Sequence, residues 1–222
     1  MKKAIFTIFI CLLSFSYASS NSSVSEAQKI NEFKNKINVK LIYDKIDLFK
    51  NASKYLGITK AKEMQLLDSA IDNRYFIKAL YYNYQNLAKT KIRNKTFNFP
   101  DYPKILSTLN KGLKKTNNPL YAYYGLKIII NNYMASGKTG MSNLYLRKFS
   151  KKLKDLGYCI GYLYEAKSYL KEYSDTYDYE QAYSLAKDGY QKCKNNKKIY
   201  HFLISGLGYT KSSSYVMLKF SK

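Results

Sequence analysis

The 222-residue sequence contains no tryptophan, one histidine, three prolines and three cysteines. The lone histidine, His201, has no second histidine with which to build a metal site, and no serine, cysteine or carboxylate motif surrounds it. Two cysteines beyond the N-terminal run cannot complete a tetrahedral zinc site without further ligands. No Gly-x-Ser-x-Gly, Walker-type or zinc-protease pattern occurs. These absences leave no catalytic residue, cofactor or metal to assign. Valine is scarce, apolar–polar alternation is rare, and glycine-based hairpin dipeptides are nearly missing, which argues against a sheet-built protein. Acids are few as well, 15 against 38 lysines and arginines.

Long apolar runs are also missing, with one short exception at the start. "MKKAIFTIFICLLSFSYASS" places two lysines before an apolar run, Ala4 to Phe15, and then Ser16-Tyr17-Ala18. This is the pattern of a secretory signal peptide, residues 1–18, cleaved after Ala18. The run is about 12 residues, too short for a comfortable permanent span. The expected compartment is the periplasm, with secretion as the alternative, and no later segment is long and apolar enough for stable membrane insertion. The remaining chain suits one core, organised as residues 19–93 and a helical-repeat region 94–222 continuous with it.

Helical periodicity fills the space that strand signals leave. Ile30, Phe33, Ile37 and Leu41 form one stripe, and Met64, Leu67, Ile71 and Tyr75 another, with Thr59 as N-cap. "IDNR" is a kink or a turn. "NKTFNFPDYP" (94–103) is the clearest break. After it, helical blocks follow at short turns, "TNNP" and "ASGKTG" among them. Starts near Tyr102, Met141 and Asp178 mark every second helix, a spacing that signals stacked helical hairpins. The expected fold is all-α: antiparallel helical hairpins forming a short α-solenoid behind longer N-terminal helices.

"IGYLYEAKSYL…YDYEQAYSLAKDGYQKC" resembles the Sel-like branch of the tetratricopeptide-type repeats. Gly161, Leu163 and Tyr164 fit that family's first helix; Asp178, Tyr179 and Ala182, then Tyr183, Ala186 and Gly189, fit its second. The connection is longer than the family's and lacks its glycine. The resemblance implies a docking surface for proteins or peptides. On that reading Tyr121, Tyr123, Tyr124, Tyr162 and Tyr164 line a groove, with Lys111, Lys114, Lys115, Arg147, Lys148, Lys151 and Lys152 at its rim. The alternative is that the tyrosines are packing residues, burying a ring while keeping a hydroxyl wet.

Cys159 and Cys193 remain after signal cleavage, and an even pair in an exported protein points to a disulfide. With the hairpin turn near Asp175, both fall at the opposite, open end on the facing stripe. The predicted Cα separation is about 4.4 to 6.8 Å.

Charge is uneven along the chain. Residues 76–153 hold fifteen basic residues and one acid, Asp101. Such a segment is either a set of solvated helix faces or a surface for an anionic partner: cell-wall polymer such as peptidoglycan, lipid headgroups, an acidic protein or nucleic acid. Acids cluster instead between Asp155 and Asp188. Asp178 is placed as an N-cap with Glu180 in the first turn, while a pair such as Glu172 and Asp178 is the kind that does acid–base work on a sugar. Three expectations follow: a non-enzymatic scaffold or adaptor for another envelope or secreted protein, a binder of anionic polymer through 76–153, and a cell-wall glycan-acting enzyme.

Overall fold

The computed structural model describes residues 24–38, 52–84, 87–92, 95–133, 140–170, 174, 176–193 and 197. The signal-peptide segment, Leu41, Glu172, Asp175 and His201 lie outside them. Among the described residues the fold is all-α apart from one two-stranded hairpin. In chain order the elements are α1 (Glu26–Asn35), α2 (Ala52–Leu56), α3 (Lys60–Ile71), α4 (Arg74–Tyr84), β1 (Leu87–Ile92), β2 (Lys95–Pro100), α5 (Tyr102–Thr116), α6 (Pro119–Ile128, prolonged by a π-helical turn Ile129–Tyr133), α7 (Gly140–Asp155), α8 (Cys159–Lys167) and α9 (Tyr179–Lys192).

The helices start and stop where local chemistry dictates. Thr59 Oγ1 accepts the Lys62 N–H at 3.2 Å, Asp101 Oδ1 the Lys104 N–H at 3.1 Å, and Asp178 Oδ1 the Gln181 N–H at 3.0 Å. Asn73 resolves the "IDNR" question: its side chain accepts the Tyr75 N–H at 3.0 Å and opens a new helix, α4. At the α5–α6 turn Asn117 takes the left-handed conformation (φ 53°) and Asn118 caps α6. Asn118 also donates from Nδ2 to the Leu66 carbonyl at 2.8 Å, tying this turn to α3.

Three expectations need correction. Among the described residues the N-terminal helices are not the longer ones: α1 has 10 residues and α3 has 12, against 15 in α5 and 16 in α7. The break before Pro103 contains an antiparallel hairpin, with Leu87 opposite Pro100 and Ile92 opposite Lys95. Thr90, Ile92, Thr96, Phe97 and Phe99 are strand-favouring types, but no Asn-Gly or Asp-Gly turn announces them. Finally, α8 stops at Lys167 rather than running to Asp175. Ser168 Oγ turns back to the Glu165 carbonyl at 2.6 Å, and the Asp178 N–H then reaches the Tyr169 carbonyl at 2.9 Å to close the hairpin.

From α4 onward each helix packs on the next, and contacts across the turns make them antiparallel. Gly112 of α5 lies against the Tyr121 ring of α6, and Gly125 of α6 against the Phe149 ring of α7. Gly161 of α8 lies against the α7 backbone at Ser150 and Lys154. One apolar core runs from Phe33 to Ile160. A second joins α8 to α9 through Tyr162, Leu163, Ala166, Leu170, Ala182, Leu185, Ala186 and Cys193. The disulfide Cys159–Cys193 closes that hairpin at its open end with a Cα separation of 6.0 Å, inside the predicted range. Among the described residues no helix is long and apolar enough to cross a membrane.

Candidate functional site

Tyrosine placement removes one reading. Tyr121, Tyr123 and Tyr124 are at most 1 % exposed, on a helix enclosed by α3, α5 and α7. Tyr162 is buried against Gly189, and Tyr164 is half-buried at the edge of the core. The first three therefore line no open groove. "LYAYYGLKIII" has no polar stripe because α6 is surrounded, and a ring as large as tyrosine fills such a layer. Tyr124 keeps its hydroxyl satisfied by accepting from Asn83 Nδ2 at 2.9 Å. Burial raises the pKa of all three phenols, well above the usual value at Tyr124.

The rim cations divide. Arg147 is structural: Nη2 donates to the Thr176 carbonyl at 3.0 Å and the Ser168 carbonyl at 3.3 Å, and its guanidinium lies 4.1 Å from the Tyr169 ring centroid. It locks the α8–α9 connection to α7. Lys148 and Lys151 are exposed on α7, Lys151 paired with Asp155 at 2.8 Å, and Lys152 is half-buried. Lys111, Lys114 and Lys115 stand exposed on the last turns of α5.

The structure gathers charge along the seam between α4 and α5. On α5, Lys104, Lys111 and Lys115 share one face, a row about 16 Å long at 1.5 Å per residue. Facing them on α4 are Arg74, Tyr75, Lys78 and Tyr82. Arg74 and Lys115 lie 5.0 and 5.3 Å from the Tyr75 ring centroid, and Lys78 and Lys104 lie 5.5 and 4.1 Å from that of Tyr82. The rings act as pedestals that hold ammonium groups side by side. Arg74, with Lys115 beside it, holds the Tyr75 phenol below its usual pKa, the mark of a positive field.

One acid answers this seam. Glu26, at the first position of α1, accepts from Tyr82 Oη at 2.5 Å and pairs with Lys78 Nζ at 3.0 Å and Lys104 Nζ at 3.4 Å. The Tyr82 hydrogen bond first, then the two lysines, lower its pKa to about 2. Arg74, Lys111, Lys114 and Lys115 have no acidic partner among the described residues. Sequence reasoning missed Glu26 and Tyr82 and counted Lys78 and Lys104 only as members of the basic segment, because 52 to 78 residues separate Glu26 from its partners and no local pattern joins them.

Four described members of the acidic cluster have local roles. Asp178 caps α9, Asp155 and Asp188 pair with lysines one helical turn away, and buried Glu165 pairs with Lys154 Nζ at 2.8 Å. Among the described residues no three metal-binding side chains converge. Comparison of the chain with family models, with curated proteins and with solved structures gives no match.

Proposed function

We propose that this protein is an exported, non-enzymatic binding module, built of Sel-like, tetratricopeptide-like hairpins, that engages an anionic partner through the basic surface of residues 76–153 and the adjoining Arg74. The observation that carries this reading is the division of labour between tyrosine and lysine. The tyrosines of α6 are spent on the core, while the cations of the α4–α5 seam stand on the surface, most without a counter-charge. Lysine outnumbers arginine on this surface, which suits diffuse attraction to a polyanion over bidentate reading of single phosphates. The signal-like N-terminus and the Cys159–Cys193 bridge support an oxidising, extracytoplasmic location.

The test is retention on immobilised polyanions across a salt series. Affinity should fall about tenfold or more between 50 and 200 mM salt, and Lys111→Gln with Lys114→Gln and Lys115→Gln should flatten the slope. Absence of retention at low salt, or retention indifferent to salt, overturns the reading.

A further inference from the structure

We propose that the Lys78–Lys104–Tyr82 cradle is a carboxylate-binding site for an acidic peptide segment of a partner protein, and that Glu26 of α1 occupies it as an internal stand-in. This inference rests on the anionic-partner reading above and narrows it. Three donors from two helices converge on one carboxylate, from positions 56, 52 and 78 residues away in the chain. The donors of the cradle all come from α4 and α5. The Tyr82 ring, buried with α1 in place, lies beneath both lysines. Its natural occupant is therefore a group with two anionic acceptor oxygens, and the group seen there belongs to a glutamate on a peptide.

Displacing α1 would uncover one buried side chain among its described residues, Phe33. Phe33 meets the Tyr81 ring edge-on at 5.7 Å, Ile30 and Ile37 are only partly buried, and the Glu26 side chain is 47 % exposed. Beyond the cradle the seam continues to Lys111, Lys115 and Arg74. A segment carrying several carboxylates can thus bind first at the unpaired end and then compete with Glu26. Tyr75 offers nucleobases no open platform, since it lies beneath Arg74 and Lys115.

The experiment uses the full chain and fluorescently labelled poly-L-glutamate, with affinity read by anisotropy at fixed ionic strength. Glu26→Gln should tighten binding about two- to fivefold, the size of a half-exposed ion pair released from competition. Lys78→Gln with Lys104→Gln should weaken it about tenfold and abolish the response to Glu26→Gln. Independently of any variant, poly-L-glutamate should accelerate amide exchange in α1 of the wild-type chain. Unchanged or weaker binding by Glu26→Gln together with unaltered α1 exchange overturns the inference. So does binding of polyphosphate or polygalacturonate without binding of poly-L-glutamate, which leaves the broader reading standing. Failure of all three polymers to bind at low salt removes the broader reading itself.

Discussion

Gly161 shows how a single residue sets an interhelical distance. A Cβ added there would lie 2.7 Å from the Ser150 carbonyl oxygen and also meet the Lys154 main chain, neither of which can rotate away. Gly161→Ala should therefore destabilise by about 1–3 kcal/mol in urea unfolding. Gly189→Ala, which meets the Tyr162 side chain, should cost less because a side chain can turn. A smaller effect at Gly161 than at Gly189 would contradict this packing. Gly161 and Gly189 were picked out in the sequence only through a resemblance to a repeat family. The facing of Tyr121, Tyr123 and Tyr124 was not legible there. A tyrosine suits a core layer or a groove wall equally, and only the neighbours brought in by α3, α5 and α7 decide between them.

Elements are held by caps and staples that act over short spans. Thr59 and Asp178 could be identified in advance because capping is a four-residue affair. The β1–β2 hairpin and the early stop of α8 could not, since the first lacks a turn signature and the second depends on Arg147 reaching across from α7. Reducing the disulfide should cost roughly 3–4 kcal/mol in the chain-entropy account, with the loss confined to α8–α9. Denaturation with and without reductant checks this; equal midpoints would contradict it. The docking of α1 should respond to acid. Glu26 has its pKa lowered from 4.5 to about 2 in the folded chain, so its contribution is present above pH 4.5 and is lost as pH falls toward 2. Because the group is half-exposed the effect is under about 1 kcal/mol. It should be seen as lower amide-exchange protection factors in α1 as pH falls, after correction for the intrinsic slowing of exchange in acid, and should vanish in Glu26→Gln.

At the scale of the whole molecule, net charge and architecture are independent variables. The chain carries a formal charge of +23, and among its described acids Asp178 is engaged in a cap and Asp155 and Asp188 in local pairs. The number of cations was readable from composition, but their convergence was not, because the seam forms only when Arg74 to Tyr82 and Lys104 to Lys115 lie side by side. The disulfide has a consequence of a mechanical kind. A pull applied to the chain beyond Cys193 passes through the sulfurs to Cys159 and on to α7, bypassing the ring of residues between them. About 110–120 Å of contour length is thereby withheld from extension. Tension between a bound partner and the C-terminal end of the chain would load the α7–α8 connection at Gly157 and Tyr158 and leave the α8–α9 hairpin folded.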